Sequence, residues 1–585
     1  MFELEKAVLE EKIRAYLDTQ DIQDPTLEFR QIPFSGEWGL AVPLFPVAAA
    51  EARSGKKVIV PQRAQELALG IKAFIGDLPD GFSHIDAVNG YLNIYFTTSV
   101  FAHRVVDTAI AEAENYGRAP KRNKTVMVEY SQPNTHKSFH VGHLRNVILG
   151  GSVCRILEFA GYDVIRANYL GDIGLHVVKW MWNYLKNHAG EQPGENKTHW
   201  MNDIYAEADR LFQEPENEAE VRALYARWNA RDPEIVDLWK KTRQWSLEGF
   251  AQIYDLLGES FDRIYFESEV EETGTVLVER LIESGIAQDE RPEGPVIIDL
   301  DAIAATENEY RVLVVLRSDG SSLYATKDLP LAIQKFEEFD LEKSIYVIDA
   351  RQSLYLKQVF KTLEIMGYEW ADRLYHLAYE LVNLPGNVTM ASREGTVVLF
   401  DDLVSEATNR AKTIVEEKNP ELSEAAKNDI AEAVALGALK YTMLSRDNTK
   451  VVTFDWDSAL DFNGQAAPYI QYAHVRAGSI LRKAEMALPD DAVFPDQLEK
   501  AEIDLIELMT YLPGEVLRAS EDYRPLTIAN LAFALAKAFN DFYNSCHVLN
   551  AEPAVRVYRL RLVAAAQQVL ANCLNLLGIK APGVM

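Results

Sequence analysis

Between residues 122 and 404 strand-like and helix-like stretches alternate, and this pattern closes off most architectures. "TVMVEY", "YDVIRANY", "RVLVVLRS", "KSIYVID" and "YHLAYELV" are short runs rich in β-branched and aromatic residues, with helix-periodic segments between them. Strands separated by helices are joined by crossovers, and crossovers bring strands parallel. The predicted fold is therefore α/β, a doubly wound parallel sheet over 122–404. A polar, Trp-rich helical segment at about 186–252 interrupts the alternation and reads as an insertion. Residues 1–115 read as a separate α+β domain, with "GYLNIYFT" as its clearest strand. Beyond 404 the strand signal disappears. Helical periods dominate through "DIAEAVALGALKYTMLSR", "YIQYAHVRAGSILRKAEMAL" and "LTIANLAFALAKAFNDFYN", which predicts an all-α domain over 405–585.

Composition excludes several function classes. The chain has no apolar run of about eighteen residues, so no membrane span is expected. The N-terminus "MFELEKAVLEEKIRAYL" is charged and helix-periodic, unlike a secretory signal. Cys154, Cys546 and Cys573 lie far apart, which argues against a disulfide framework and a Cys-based zinc site and fits the cytoplasm. A formal net charge of -29 discourages nucleic-acid binding by itself. Net charge does not decide what a local patch can do, however, and "YGRAPKRNK" is locally basic. Composition leaves the partner open.

The stretch "VEYSQPNTHKSFHVGHLRNVILGG" starts as a buried strand and ends as a helix. A plain connection needs about two to six residues and a cap. This one carries His136, Lys137, His140 and His143 around Gly142, so an anion is expected there. A helix N-terminus at the carboxyl end of a parallel strand offers free N–H groups to such a ligand. Gly142 would admit a flat adenine or ribose, and His140 and His143 could donate to phosphate oxygens.

"EYSQPNTHKSFHVGHLRN" resembles the His-x-Gly-His region of class I aminoacyl-tRNA synthetases, specifically the arginyl-tRNA synthetases. The resemblance continues in order through "NYLGDIGLH", "RSDGSSLYATKDLPLA", "DARQSLYLKQ", "MASREGTVV" and "APYIQYAHVRAGSI", and "NGYLNIYF" is similar to the family's additional N-terminal tRNA-binding domain. It implies a Rossmann-type catalytic domain, an anticodon-binding C-terminal domain, and ligation of arginine to tRNA(Arg) at the expense of ATP. It further implies that Glu129, Asn134, Tyr324, Asp328 and Gln352 bind arginine. Two carboxylates and a phenol oxygen suit the planar, five-donor guanidinium. His140, Gly142, His143, Met390 and Ser392 are the implied ATP contacts, and Lys137, His140, His143 and Arg393 the implied catalytic set. Mg²⁺ is expected with ATP, with no dedicated protein ligands and no zinc. The loop that usually carries lysines reads Thr389, Met390, Ala391, Ser392, Arg393; Lys137 is the implied substitute cation. Tyr91, Asn93, Tyr469, Tyr472, His474 and Arg476 are the implied tRNA contacts, and a monomer is expected. A cysteinyl-type relative would need zinc-binding cysteines, which this chain lacks. A non-catalytic relative would be favoured only by the altered loop.

Overall fold

The computed structural model describes residues 2–32, 36–384, 388–389, 398–488 and 492–585. They form two compact units. The first comprises Met1–Tyr116, Arg476–Tyr511 and Ala534–Leu570; the second comprises Gly117–Val475, Leu512–Phe533 and Ala571–Met585.

In the first unit, β1 (Arg30–Ile32), β2 (Gly39–Pro43), β3 (Phe82–Val88) and β4 (Tyr91–Phe96) form an antiparallel sheet in the order β1-β2-β4-β3. Asn89 and Gly90, both at positive φ, make the tight turn between β3 and β4. Along β4, Leu92, Ile94 and Phe96 are buried, while Tyr91, Asn93 and Tyr95 point the other way. The helix Val60–Ile75 packs on this sheet through Leu67, Ala68 and Ile71.

The second unit is built on β5 (Thr125–Glu129), β6 (Asp163–Leu170) and β7 (Arg263–Phe266), followed by β8 (Gln288–Asp289), β9 (Val296–Asp299) and β10 (Val312–Leu316), and then β11 (Leu341–Asp349) and β12 (Leu374–Tyr379). Five of these make a parallel sheet in the order β12-β11-β5-β6-β7. From β5 the chain winds to one side through β6 and β7, then returns to the other side for β11 and β12. The winding reverses between β5 and β11, which opens a crevice beyond their carboxyl ends.

The expected parallel sheet is present, with one correction. "RVLVVLRS" does not join it; its strand, β10, pairs antiparallel with β9 in a separate sheet β10-β9-β8. The cause is connection length. Only about a dozen residues separate β9 from β10, marginal for a parallel crossover. The Trp-rich segment forms the helices Lys197–Leu211, Pro215–Asn229 and Pro233–Leu257. Their core gathers Trp180, Trp182, Trp228, Trp239 and Trp245. Among the described residues, no helix is long and apolar enough to cross a membrane.

Candidate active site

The segment from Tyr130 to His140 joins β5 to the helix Val141–Phe159, and its backbone takes an irregular path. Ser131, Gln132 and His136 all have positive φ, at 77°, 52° and 63°. Such conformations persist only where the surroundings hold them. Here side chains do so: the Ser131 N–H donates to Asn146 Oδ1 at 2.6 Å, the Gln132 N–H to Asn168 Oδ1 at 3.0 Å, and the His136 N–H to Ser246 Oγ at 2.9 Å. His136 is fully buried, its ring between the hydroxyls of Thr135 (3.0 Å) and Thr242 (2.8 Å). Burial holds its pKa well below the usual histidine range. It is a neutral strut, a correction to its place among the basic residues of the turn.

His140 is the N-cap of the helix. Its Nδ1 accepts the N–H groups of Gly142 (3.1 Å) and His143 (3.4 Å), while His143 Nδ1 accepts the His140 N–H (3.3 Å). A backbone N–H can only donate, so both Nδ1 atoms are acceptors and both ring protons sit on Nε2. Burial pushes the pKa of His140 down to about 4 and that of His143 well below the usual range; the nearby Lys137 ammonium adds to both. The pair therefore presents two neutral Nε2–H donors from rings stacked 3.9 Å apart. Gly142 is needed for this cap, because a Cβ there would lie 2.9 Å from the His140 ring. Lys137 is partly buried, and its ammonium lies 5.6 Å from the ring centroid of Tyr205. Burial lowers its pKa, against the opposing pull of Asp209.

Beside the turn, at the crevice between β5 and β11, lies a cavity of about 310 Å³. It brings together Glu129, Asn134, Tyr324, Asp328 and Gln352, the five positions expected to bind arginine. Glu129 ends β5 opposite Tyr346 of β11. Tyr324 and Asp328 lie one turn apart at the start of the helix Tyr324–Glu338. That start is fixed by Thr326, whose hydroxyl accepts the Leu323 N–H at 2.9 Å and donates to the Val315 carbonyl of β10. Tyr324 is 72% exposed, so it stands at the rim rather than inside. Gln352 is exposed too. Asn134 is admitted by Gly171, where a Cβ would come within 2.1 Å of its Oδ1.

Asp328 is half-buried, and its Oδ2 accepts the Tyr355 hydroxyl. Its pKa is pushed up to about 7; burial is the main cause, the Tyr355 bond opposes it, and Glu129 and Glu267 add to it. Glu129 already carries two partners, one of which cancels its charge, and has only its remaining lone pairs to offer. Its Oε2 is paired with Lys335 and its Oε1 accepts Gln132 Nε2 at 2.9 Å. Sequence reasoning missed Lys335, Glu267, Tyr169 and Tyr355. Glu267, Tyr169 and Tyr355 line the cavity, and the buried Tyr169 hydroxyl has no partner among the described residues. The available signal was spacing: Tyr324, Asp328, Leu331 and Lys335 fall on one helical stripe.

Met390, Ser392 and Arg393 lie outside the described residues. Of the positions expected to meet RNA, Tyr91 is exposed and Asn93 partly exposed on the same face of β4. Tyr469 and Tyr472 are partly exposed on the helix Ala467–Lys483, Tyr469 against Phe533 at 5.5 Å. Arg476 bonds Asn540 and lies 4.6 Å from the Tyr543 ring centroid. His474 is buried, its Nδ1 3.1 Å from the Pro582 carbonyl. It braces the C-terminal segment and offers no stacking face, which removes it from the RNA-facing set. Among the described residues, no group of three or more His, Cys, Asp or Glu could hold a metal ion.

Residues 105–456 match the family described as "tRNA synthetases class I (R), catalytic domain", and residues 470–585 match the "DALR anticodon binding domain". An arginine–tRNA ligase of Treponema denticola is 37% identical over 85% of this chain and 86% of its own. One from Clostridium perfringens is 33% identical over 98% of both chains. The solved arginyl-tRNA synthetase of Thermus thermophilus superposes with a TM-score of 0.78 at 30% identity, covering 99% of each chain. A helix N-terminus at the reversal point of a parallel sheet is a general ligand-binding arrangement, but two family matches on one chain and relatives of this identity along nearly its full length are specific: the chain belongs to the class I arginyl-tRNA synthetases.

Proposed function

We propose that this chain activates L-arginine with ATP and transfers the arginyl group to the 3′ end of tRNA(Arg), with the residues of the cavity and histidine turn in the following roles. The guanidinium enters the cavity and bonds Asp328 Oδ1, with Glu129 and the Tyr324 hydroxyl as further acceptors. Asn134 and Gln352 hold the α-amino and carboxylate end. The arginine carboxylate attacks the α-phosphate in line and pyrophosphate leaves; positioning and charge neutralisation carry such a step, so no side-chain nucleophile is assigned. The Nε2–H groups of His140 and His143 donate to phosphate oxygens, and Lys137 supplies a cation near the leaving pyrophosphate. Arg393 joins this set, and Met390 and Ser392 the ATP contacts, by family position alone. Mg²⁺ arrives with ATP as part of the substrate, and no step is assigned to it.

The observation that supports this reading is the cavity itself, where Glu129, Asn134, Asp328 and Gln352 come together at the carboxyl end of the strand that leads into the histidine turn, and where Asp328 has no cation within ion-pair distance among the described residues. Residues 1–115 and 405–585 would bind tRNA, through Tyr91 and Asn93 and through Tyr469, Tyr472 and Arg476, since splayed bases stack on aromatics. We place the enzyme in the cytoplasm as a monomer. ATP–pyrophosphate exchange is the test, run with cognate tRNA present because the family resemblance implies that activation requires it. Exchange should depend on arginine and be absent with lysine or citrulline. No arginine-dependent exchange would overturn the assignment.

A further inference from the structure

Three carboxylates line the cavity, and two of them already have cations of their own. Glu129 is paired with Lys335, their side chains 2% and 0% exposed. Glu267 is paired with Lys327 at 2.8 Å, their side chains 11% and 12% exposed. Asp328 has no cation within ion-pair distance among the described residues; its Oδ2 accepts the Tyr355 hydroxyl. The cavity therefore carries one uncompensated negative charge, and a zwitterionic amino acid with a guanidinium carries one net positive charge.

The Lys335 pair is not explained by packing. Burying an ammonium is expensive, and replacing a buried ion pair by apolar residues of similar volume is often neutral or stabilising. Lys335 is nonetheless fully buried, with its Nζ 4.1 Å from the ring centroid of Tyr346, the residue opposite Glu129 in the sheet. Its position on the stripe of Tyr324 and Asp328 points the same helix face at substrate and at counter-charge.

We propose that Lys335, with Lys327, is a specificity-determining positioning residue: the two lysines cancel Glu129 and Glu267, so that the cavity offers its single free charge on Asp328 and admits one singly cationic side chain. This rests on the arginine reading of the cavity. The groups facing Asp328 are Glu129 from β5, Tyr169 from β6, Glu267 from the helix Glu267–Glu283, Tyr346 from β11, Tyr355 from the helix Ser353–Ile365, and Tyr324 and Lys335 from its own helix, with Lys327 acting through its pair with Glu267. Lys335 is the cation among them that favours ionisation of Asp328, while Glu129 and Glu267 oppose it. Removing Lys335 leaves Glu129 uncancelled, and a bare like charge makes Asp328 harder to ionise.

The experiment follows the KM for arginine across pH 6–9 in ATP–pyrophosphate exchange, with saturating ATP and tRNA. The wild-type protein, Lys335→Met, Lys335→Arg, Lys327→Met and Asp328→Asn are compared. In the wild type, 1/KM should rise with pH through a midpoint near the carboxyl's value of about 7. Lys335→Met should move that midpoint up by about one unit or more, raising KM at pH 7 about fivefold or more, and leave the KM for ATP in place. Lys335→Arg should restore the midpoint. Lys327→Met should shift it in the same direction by less, because its pair is less buried. A folded Lys335→Met protein with the wild-type midpoint would make the pair structural only and overturn the proposal. Should Lys335→Met fail to fold, an unmoved midpoint in Lys327→Met overturns the charge balance instead. A flat wild-type profile, or an Asp328→Asn protein with normal KM, sinks the arginine reading of Asp328 as well, and so distinguishes the two failures.

Discussion

Replacing Asp328 by asparagine tests the arginine site at the group on which its charge rests. The substitution keeps shape, and it keeps an oxygen for the Tyr355 hydroxyl; it removes the negative charge and puts an NH2 donor where the second acceptor oxygen stood. In the wild type Asp328 is half-buried and its pKa lies at about 7, raised first by desolvation and held back by the Tyr355 bond. A guanidinium against Oδ1 draws it into the charged form. Losing one such charge-assisted bond costs about 1.5–3 kcal/mol. Leaving the guanidinium buried without its counter-ion brings the loss to roughly 3–5 kcal/mol. At about 1.4 kcal/mol per tenfold, the arginine KM in the exchange assay should rise roughly 10²–10³-fold. The KM for ATP should move little. Stability should change in the opposite sense. A carboxyl raised from 3.8 to about 7 favours the protonated form in the folded protein. The stability this contributes is fully present below about pH 4 and is lost as pH rises through about 7, on the order of 4 kcal/mol in all. Without arginine, Asp328→Asn should therefore melt above the wild type at pH 8 and level with it near pH 4. An arginine KM within threefold of the wild type, in a folded protein, would remove Asp328 from the guanidinium site.

Lys137→Ala should lower kcat of arginine activation roughly 10²–10³-fold with modest change in KM, because a cation near the leaving pyrophosphate helps the transition state more than the ground state; near-normal kcat would mean that Lys137 only solubilises the turn. Gly142→Ala should displace the His140 ring, with its Cβ 2.9 Å away, and lower kcat/KM for ATP by about tenfold; an unchanged value would show that the cap tolerates the methyl. For the helix Ala467–Lys483, proposed to meet tRNA, point variants are the right probe. A chain ending near Asp401 would strip the catalytic unit of Lys440, which donates to the Leu257 carbonyl at 2.7 Å, and of the Leu576 carbonyl, which accepts Ser152 Oγ at 2.9 Å. Tyr469→Ala and Tyr472→Ala should each weaken tRNA binding about 5–100-fold in filter assays at fixed salt if a base stacks there; full affinity in both would assign them to the core.

The parallel sheet was legible because each crossover leaves a long helical stretch between two β-branched runs. β10 misled for the converse reason: "RVLVV" has strand composition, and nothing in composition reports whether a neighbour runs parallel or antiparallel. β7 was missed because "RIYF" is four residues long and passes straight into the helix Glu267–Glu283. In the site, Glu129, Asn134, Tyr324, Asp328 and Gln352 could be picked out by motif resemblance, and they share one cavity. What could not be read was which of the carboxylates still had charge to offer. Lys335 is more than two hundred positions from Glu129 in the chain, and a lysine late in an amphipathic helix ordinarily reads as solvated surface. His136 and His140 illustrate the same limit. Both are histidines of one turn, but Thr135 and Thr242 close both ring nitrogens of the first, whereas Nε2 of the second has no partner among the described residues.

Discrimination then works through two filters that fail in different ways. Charge count admits one cation, which rejects citrulline, a neutral isostere of arginine, but cannot reject lysine. On the proposed reading hydrogen-bond geometry rejects lysine: a guanidinium presents five donors in a planar fork where an ammonium presents three from one point, and an acceptor left unpaired costs about 1–3 kcal/mol. A site built this way reaches high selectivity without an editing domain. The two filters can be separated in one protein. Asp328→Asn removes the charge requirement and keeps an amide that can bond a urea, so it should penalise arginine far more than citrulline. In competition for the site, monitored by protection of the folded protein from heat, the preference for arginine over citrulline should shrink by roughly 10²-fold. The preference for arginine over lysine should shrink much less, since both lose the same counter-charge. Equal loss of both preferences would mean that charge and geometry are not separate filters, and that the cavity reads its ligand through Asp328 alone.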